Sequence, residues 1–334
     1  MNKPLVSVVM GCYNDEKYIR EAIDSILNQT INDLELLIID DCSSDSTIEI
    51  IESYSDNRIT FIKNTENKGL GFNLNLGVRI AKGKYIARMD ADDISMPTRL
   101  ERQVMYLEKH PQTICVGTSA RKIGDISLRT KILSPIMKQY TSYHHIQVAL
   151  LLGTPMLHPS VMFNRQLLLK TGLNYNPSYR RAQDYELWSR MIACQYKMEN
   201  LPDILFCYRY TKTQASAKHR DDQIKRSLPI YKQLIVNFIN KEVSDEDLQI
   251  HAQFATAQTI TKNDIIKLRK WIFFFLKESK AKDSIDYEFM LNFFKRRWTA
   301  LCRNSFPLLQ RYKYYKEISQ ISKFRIDDFI RLFI

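Results

Sequence analysis

The chain has 334 residues, of which 45% are hydrophobic and 26% charged, with 9 glycines and 10 prolines. This composition excludes a disordered or low-complexity chain, and the length suffices for one large domain or two. The formal net charge is +12. Residues 262–334 contain 17 Lys and Arg against 8 Asp and Glu, a net +9, so that the first 261 residues carry +3. The basic character is therefore concentrated in the C-terminal part.

Apolar segments in the sequence are too short to cross a membrane. The longest run near the C-terminus, 271–276, has six residues, whereas a spanning helix needs ~20. The apolar stretch 5–12 leads directly into Asn14, Asp15 and Glu16 and lacks a small-residue cleavage site, which is atypical of a secretory signal. Six scattered cysteines without a CxxC pair indicate reduced thiols. We therefore expect a cytoplasmic protein.

Strand and helix patterns alternate through the first 116 residues. Apolar, β-branched runs predict strands at 5–10, 34–39, 59–63, 85–89 and from 114 onward. Apolar residues at helical spacing predict helices at 16–28, 45–54, 70–81 and 97–110. Ser44 or Asp45 is the expected N-cap of the second helix, and Gly83 is expected to close the third. This order predicts an α/β fold with parallel strands covered by helices on both faces.

The pattern changes beyond about residue 215. Long helices are predicted at 221–238, 244–257, 264–275 and 287–301, with aromatic residues among Lys and Arg. The polar segment 216–220 is the expected boundary. We predict one domain at 1–215 and a helical, basic C-terminal region at 216–334.

Acidic residues follow two of the predicted strands. Asp40 and Asp41 follow the second strand, and Asp90, Asp92 and Asp93 follow the fourth. Ligands of open α/β sheets bind beyond the carboxyl ends of the strands, so both groups fall on the ligand-binding edge. A single D-x-D is common in solvated turns, but two acidic groups at strand ends favour a site.

Clustered carboxylates repel one another unless a cation or hydrogen-bond donors neutralise them. Carboxylate oxygens suit Mg²⁺ or Mn²⁺, and substrate phosphates commonly complete the shell of such an ion. We expect the acids that follow these two strands, taken as neighbours in the sheet, to converge around one divalent ion and the pyrophosphate it chelates.

Five ordered motifs carry a resemblance to a known family. They are VSVVMGCYNDEKYIREAIDSILNQT, LELLIIDDCSSDST, NKGLGFNLNLGVRIAKGKYIARMDADD, LHPSVMF (157–163) and RRAQDYELWSRM (180–191). Together they resemble the inverting family 2 glycosyltransferases of the GT-A fold, over roughly residues 4–210. The resemblance implies a Rossmann-like, mostly parallel sheet flanked by helices. It also implies a nucleotide-sugar half at about 1–120 and an acceptor half at about 121–215.

The resemblance implies roles for residues that would bind the donor, a nucleoside-diphosphate sugar, most simply a UDP-sugar. Asp41 matches the carboxylate that hydrogen-bonds the nucleotide base, and Gly11 and Tyr13 lie where the backbone and a Tyr ring enclose that base. Asp90 and Asp92 match the DxD motif. The resemblance implies that Asp92 coordinates Mn²⁺ or Mg²⁺ directly and that Asp90 lies nearer the ribose. Asp93 is expected to orient the loop or the donor sugar.

The resemblance also implies a general base. Asp184 matches the carboxylate that takes a proton from the acceptor hydroxyl as it attacks the anomeric carbon opposite the leaving diphosphate, which inverts the configuration. The alternative for Asp184 is an ordinary N-cap of a helix over 185–194.

Two further matched positions carry open alternatives. His158 matches a position near the acceptor or donor sugar, although a lone His in an apolar strand is commonly a packed residue. Arg209 lies in the strand before the family's flexible loop. The family often has His where this chain has Thr211 and Glu where it has Gln183, which leaves the second side of the diphosphate site undefined.

The acceptor side is less determined. The QxxRW signature of processive cellulose and hyaluronan synthases is absent, so we expect one sugar to be transferred per encounter to a glycan acceptor. The basic, aromatic C-terminal region could lie on an anionic membrane surface and meet an acceptor carried on a polyprenyl diphosphate. The alternative is a helical subdomain with packed aromatics and a solvated basic face.

Three other functions are open at this stage. A nucleotidyltransferase would require a glycine-rich, basic loop after the first strand, where this chain has GCYNDEKY. A nucleic-acid-binding protein would explain the net charge with interleaved aromatics. The acidic strand ends would repel phosphates unless metal were present, so such binding would be confined to the C-terminal region, and we expect no nucleic-acid partner. A catalytically inactive protein that binds nucleotide sugars is the third alternative.

Overall fold

The computed structural model describes residues 3–211, 220–280 and 286–307. The chain forms two compact units: Met1–Tyr143 with Pro155–Arg220, and His144–Thr154 with Asp221–Ile334. Nothing in the sequence pattern indicated that 144–154 group with the C-terminal helices. The expected boundary segment lies almost wholly outside the described residues, so the division into domains at residue 215 stays a prediction.

The first unit is built on a nine-stranded sheet with the order β3-β2-β1-β4-β8-β6-β9-β5, in which β7 pairs with β6. β1 is parallel to β2 and β4, and β2 is parallel to β3. β8 is antiparallel to β4 and β6. The strands are β1 (Val6–Cys12), β2 (Leu34–Asp40), β3 (Ile59–Lys63), β4 (Tyr85–Asp90), β5 (Ile94–Ser95), β6 (Thr113–Gly124), β7 (Ile136–Met137), β8 (Met162–Asn164) and β9 (Lys197–Tyr210).

Helices flank this sheet, as the α/β prediction requires. The helices of the first unit as far as residue 193 are α1 (Ile19–Leu27), α2 (Thr47–Glu52), α3 (Leu70–Ile80), α4 (Arg99–Lys109), α5 (Leu128–Leu133), α7 (Arg165–Thr171) and α8 (Gln183–Ala193). α6 (Tyr143–Leu150) lies almost wholly in the second unit. The predicted N-cap of α2 was wrong, because Ser46 holds that position. Asp45 instead accepts the backbone N–H of Thr47 at 3.0 Å.

Burial explains why the central strands were predictable. All seven residues of β2 are buried, and β1 is buried except at Gly11. Strands of a parallel sheet covered on both faces read as continuous apolar runs, which is the pattern found in the sequence. α1 packs on the sheet with Ile19, Ala22, Ile23 and Ile26, the spacing of one helical face.

The second unit contains four long helices among the described residues: α9 (Arg220–Ile239), α10 (Asp245–Thr256), α11 (Lys262–Ser279) and α12 (Tyr287–Ser305). Within these described residues, the prediction of a helical C-terminal region is confirmed. No described helix is both long and apolar enough to span a membrane.

Several C-terminal aromatics form the core of this unit. Trp271, Phe275, Phe294 and Trp298 are buried, and the Phe275 and Phe294 rings stack with centroids 5.6 Å apart. These four side chains are therefore not available to a membrane surface in this structure. Five further aromatics of the basic C-terminal region lie outside the described residues: Tyr312, Tyr314, Tyr315, Phe324 and Phe333.

Gly83 allows the chain to pass close to β1 rather than closing α3, which ends at Ile80. A Cβ at Gly83 would lie 2.5 Å from the backbone nitrogen of Ser7 and 2.8 Å from its hydroxyl. The Gly83 N–H donates to that hydroxyl at 2.8 Å. Gly83 is thus required by close approach at the start of β4.

We expect Gly83→Ala to lower the free energy of unfolding by about 2 kcal/mol, because the added methyl group meets backbone that cannot move aside. Gly71→Ala is the matched control, since its Cβ would lie 3.7 Å from Tyr175 in a helix that favours Ala by about 1 kcal/mol. Urea unfolding followed by circular dichroism measures both. Equal stability of the two variants would contradict this account of Gly83.

Candidate active site

The end of β4 gathers three carboxylates. Asp90 is the last residue of β4, and Asp92 and Asp93 lie in the following turn. Their oxygens can all lie within 4.8 Å of one another, close enough to coordinate one cation. Asp93 is buried, and Asp90 and Asp92 are half-buried.

The charge on this cluster is incompletely neutralised by the protein. Burial and the charge of Asp90 raise the pKa of Asp92 to about 6. Burial, then Asp90 and Asp92, raise the pKa of Asp93 well above its ordinary value. One oxygen of Asp93, Oδ2, is buried without a hydrogen-bond partner. These features fit a divalent cation, which would accept the oxygens and remove the repulsion.

A buried arginine lies next to the cluster. Arg88 precedes Asp90 by two residues on β4, so both side chains leave the same face of the strand. Its Nη2 is 2.5 Å from Oδ1 of Asp90, and its side chain is only 3% exposed. Nε and Nη1 are buried without a hydrogen-bond partner. Arg88 thus supplies a single positive charge beside several carboxylates.

Asp15 is a site residue that sequence reasoning missed. It follows β1, and its carboxylate accepts the backbone N–H of Tyr13 at 2.9 Å. Burial, followed by the charges of Asp92, Asp90 and Asp45, raises its pKa to about 7 against the lowering effect of the Tyr13 hydrogen bond. In the sequence Asp15 resembles an exposed residue at the start of a helix. The one feature that could have indicated a site residue is its position just after the first strand.

Arg209 fixes the acidic turn to β9. Its backbone N–H donates to Asp93 Oδ1 at 2.7 Å, and its Nε donates to the Asp92 carbonyl at 2.6 Å. The guanidinium also pairs with Glu21 at 2.6 Å and stacks over Tyr18. Arg209 therefore holds the turn in place as well as contributing charge.

Asp41 lies on the other side of β1 from the acidic cluster. The strand order β2-β1-β4 contradicts the prediction that the two acidic strand ends are neighbours. Adjacent strands are about 4.8 Å apart, so the ends of β2 and β4 are separated by roughly 10 Å. Asp41 and Asp90 thus cannot share one ion, although one elongated ligand can reach both. Asp40 is buried and accepts hydrogen bonds from Ser43.

Both oxygens of Asp41 already accept hydrogen bonds. They bind the backbone N–H groups of Lys68 and Gly69 at 2.9 and 2.8 Å, in the turn that opens α3. Gly11 is half-buried beside this turn, and a Cβ on it would lie 3.0 Å from Leu70 Cδ1. Tyr13 is 49% exposed. Gly11 therefore borders the start of α3, and Tyr13 directly follows the end of β1.

His158 and Asp184 lie in the second half of the unit. His158 is buried, its Nε2 is 2.8 Å from the hydroxyl of Tyr175, and burial and Arg88 hold its pKa well below the ordinary value. Asp184 is in the first turn of α8, where Ala182 is the N-cap. The alternative reading of Asp184 as the N-cap was therefore wrong.

Electrostatics link Asp184 to the acidic cluster. Burial is the main cause that raises the pKa of Asp184, with Arg88 lowering it and Asp90 raising it among the smaller contributions. Tyr175 experiences the charges of Arg88, Asp184 and Asp90. Asn75 holds Tyr175 by two hydrogen bonds, one in each direction, at 2.8 and 2.9 Å. The structure thus brings the 90–93 and 184 motifs into one electrostatic environment.

Three non-glycine residues in the left-handed conformation adjoin site residues. Asn14 precedes Asp15, Cys42 follows Asp41, and Ala182 lies two positions before Asp184, with φ values of 56°, 67° and 59°. Such conformations are uncommon for Cys and Ala and easier for Asn, and strained ones concentrate at functional sites.

The sequence matches the family described as "Glycosyl transferase family 2" over residues 7–173. The chain belongs to glycosyl transferase family 2. An uncharacterized glycosyltransferase of Methanocaldococcus jannaschii is 40% identical over 219 residues, 63% of this chain and 72% of that protein. The chain is therefore a glycosyltransferase.

Two relatives of this family 2 glycosyltransferase carry more specific names. The O-antigen biosynthesis glycosyltransferase WbnJ of Escherichia coli is 34% identical over 71% of this chain and 93% of its own length. The E. coli UDP-Glc:alpha-D-GlcNAc-diphosphoundecaprenol beta-1,3-glucosyltransferase WfaP is 29% identical over 67% of this chain and 84% of its own length.

Solved structures confirm the GT-A fold of this glycosyltransferase. Staphylococcus aureus TarS 1-349 in complex with UDP-GlcNAc matches with a TM-score of 0.58 at 15% identity, covering 96% of this chain and 93% of that chain. A mannosyltransferase of Pyrobaculum calidifontis in complex with GDP-Man and Mn²⁺ matches with a TM-score of 0.54 at 19% identity, covering 99% and 88%.

We expect Mn²⁺ to stabilise this glycosyltransferase more strongly at pH 7.5 than at pH 5.5, because the ion must displace protons from acids with raised pKa values such as Asp92. Without metal, these acids bind more protons in the folded than in the unfolded state between ~4 and ~7, so their contribution to stability falls as the pH rises through that window. The buried His158 and His251, whose pKa values are lowered, contribute in the opposite direction. Thermal unfolding with Mn²⁺ and with EDTA at both pH values measures this.

Asp92→Asn should abolish most of the Mn²⁺ effect, whereas Asp125→Asn, a change to an exposed acid outside the cluster, should retain it. A Mn²⁺ shift of equal size at both pH values would contradict binding at the acidic cluster.

Proposed function

We propose that this glycosyltransferase is a metal-dependent, inverting, non-processive enzyme. It moves one sugar from a nucleoside-diphosphate sugar, a UDP-hexose or UDP-N-acetylhexosamine, to a glycan acceptor. The observation that carries the proposal is the cluster of Asp90, Asp92 and Asp93 at the carboxyl end of β4, in the same electrostatic environment as Asp184.

The acidic cluster is proposed to hold Mn²⁺ or Mg²⁺, with Asp92 as the direct ligand. Asp90 would lie nearer the ribose, and Asp93 would orient the turn, a role supported by its bond to the Arg209 N–H. When bound, the ion neutralises charge on the departing diphosphate. Arg209 is proposed to contribute a further positive charge beside it.

Asp41, Gly11 and Tyr13 are proposed to bind the nucleotide base. The exposed Tyr13 ring offers an apolar face against which a base can stack. Oδ1 of Asp41 already accepts hydrogen bonds from the Lys68 N–H and the Asn64 side-chain amide, whereas Oδ2 accepts only that of the Gly69 N–H. Because each ionised oxygen accepts about two hydrogen bonds, Oδ2 has acceptor capacity left for a base. The distance of roughly 10 Å between the ends of β2 and β4 suits a nucleotide whose base lies at one strand and whose diphosphate lies at the other.

Asp184 is proposed to act as the general base. A carboxylate whose pKa is raised by burial is a better proton acceptor than one in water. It would take the proton of the acceptor hydroxyl while that oxygen attacks the anomeric carbon from the face opposite the leaving group, so that one displacement inverts the configuration. The neutral His158, with Tyr175, is proposed to contact the acceptor or donor sugar.

The relatives support a role in surface polysaccharide biosynthesis. WbnJ is named for O-antigen biosynthesis, and WfaP for glucosyl transfer from UDP-Glc to a diphosphoundecaprenol-linked sugar. We extend this chemistry to the present chain as a UDP-sugar donor and a polyprenyl-diphosphate-linked acceptor. A cytoplasmic location at the inner face of the plasma membrane, reached in part through the basic C-terminal region, belongs to the same proposal.

Substitution of two carboxylates separates metal binding from catalysis. A thermal-shift screen of nucleoside-diphosphate sugars with Mn²⁺ first identifies the donor, because a ligand of the folded state raises its apparent stability. We expect Asp92→Asn to lose Mn²⁺-dependent donor binding. Asp184→Asn should bind the donor normally by calorimetry but lower the transfer rate on the order of 10³-fold.

Asp125→Asn serves again as the control and should alter neither donor binding nor the transfer rate. Transfer by Asp184→Asn at the rate of the unchanged enzyme would refute the base assignment. Donor binding without transfer in every variant and in the unchanged chain would favour the inactive-binding alternative.

A further inference from the structure

A short helix between β6 and β7 exposes three large aliphatic side chains. α5 buries none of its residues, and Leu128, Ile132 and Leu133 are 72%, 68% and 70% exposed. Leu128 and Ile132 are four positions apart and so lie on one helix face. These are the three highest exposures among the large hydrophobic side chains of the described residues. Contiguous exposed aliphatic groups of this kind mark interaction surfaces.

Basic residues flank these side chains in the sequence. We call residues 121–138 the basic flap; it contains Arg121, Lys122, Arg129, Lys131 and Lys138 against the single acid Asp125, a net charge of five less one, or +4. Arg121, Arg129, Lys131 and Lys138 are exposed. None of the five forms an ion pair with a carboxylate of the described residues.

The basic flap begins beside the candidate active site. Ile123 is opposite Arg209 in the β6 and β9 ladder, and Gly124 is opposite Tyr210. The Asp125 N–H donates to the Tyr210 carbonyl at 2.7 Å, and the Arg209 N–H bonds to Asp93. The root of the flap is thus one hydrogen-bonded strand pair away from the acidic turn.

We propose that the basic flap docks on the surface of an anionic lipid bilayer. Its three aliphatic side chains would enter the interface between head groups and acyl chains, and its cations would meet the anionic head groups. Aliphatic groups flanked by Lys and Arg that form no ion pair suit the boundary between head groups and acyl chains. The hydrophobic effect drives the aliphatic groups out of water, and the negative surface potential attracts the cations.

The same charges argue against a second copy of this chain as the occupant. Two flaps brought together about a two-fold axis would place a net +4 against +4 around one small apolar contact. Like charges facing each other at an interface are unfavourable.

A flap docked in this way would place the end of β9 close to the bilayer, where a lipid-linked acceptor is held. This consequence rests on the proposed function, whereas the binding of the flap to lipid does not. Vesicle binding can therefore be tested without any assay of sugar transfer.

The test is flotation of the full chain with two kinds of vesicle, one of phosphatidylcholine and one of equimolar phosphatidylcholine and phosphatidylglycerol. We expect binding to the anionic vesicles, weakened by salt. The triple change Leu128→Ser, Ile132→Ser and Leu133→Ser should weaken it on the order of tenfold. The double change Arg129→Gln and Lys131→Gln should weaken it on the order of tenfold as well.

Matched controls on the first unit remove exposed groups away from the flap. Met105→Ser with Leu169→Ser changes two residues that are 46% and 49% exposed. Lys109→Gln with Lys170→Gln lowers the net charge by two, as the double change in the flap does. Both controls should retain vesicle binding. Unchanged binding by the flap variants, or equal losses in flap and control variants, would overturn the proposal. So would a flap-dependent dimer in analytical ultracentrifugation with no lipid binding, since the occupant would then be a second copy.

Discussion

The arrangement of the candidate site depends on the concentration of negative charge at the end of β4. Three carboxylates lie at this strand terminus, and one buried guanidinium, that of Arg88, pairs with one of them. The charges of Asp90 and Asp92 also contribute to raising the pKa of Asp15, which follows β1. Burial strengthens the repulsion among these acids because little water screens it. The protein therefore retains an excess of negative charge that a divalent ion is suited to remove.

The strand order of the sheet determines where the acidic cluster lies relative to the other site residues. β1 separates the end of β2 from the end of β4, so the turn held by Asp41 and the acidic cluster are distinct places along one edge. Arg209 ties the acidic turn to β9, and β9 pairs with β6 along its length. The same two strands lead to the basic flap, so that the acidic turn and the flap share one structural support.

Much of the first half of the fold could be predicted from the sequence, because β1, β2 and β4 are buried on both faces and leave long apolar runs. β5, β7 and β8 are two or three residues long and leave no periodic signal. The strand order was also beyond the sequence pattern, since it depends on packing between distant segments. This is why the acids after β2 and β4 were wrongly expected to be neighbours.

The residues of the candidate site were likewise predictable only in part. The acidic cluster was predictable from like charges after an apolar strand, and Asp184 from its motif. Asp15 and Arg88 were missed: one resembles a solvated helix start, and the other is a single charged residue in a strand whose burial only the fold reveals. Tyr175, which binds His158, lies in an irregular segment with no pattern of its own.

The coupling between Arg88 and Asp90 tests the charge balance most directly. Urea unfolding in EDTA of Arg88→Met, Asp90→Asn and the double variant forms a double-mutant cycle. We predict a coupling free energy on the order of 3 kcal/mol, with Arg88→Met far less damaging once Asp90 has lost its charge, because the arginine's main role in the metal-free protein is to offset that carboxylate. Additivity of the two changes within about 0.5 kcal/mol would contradict the account.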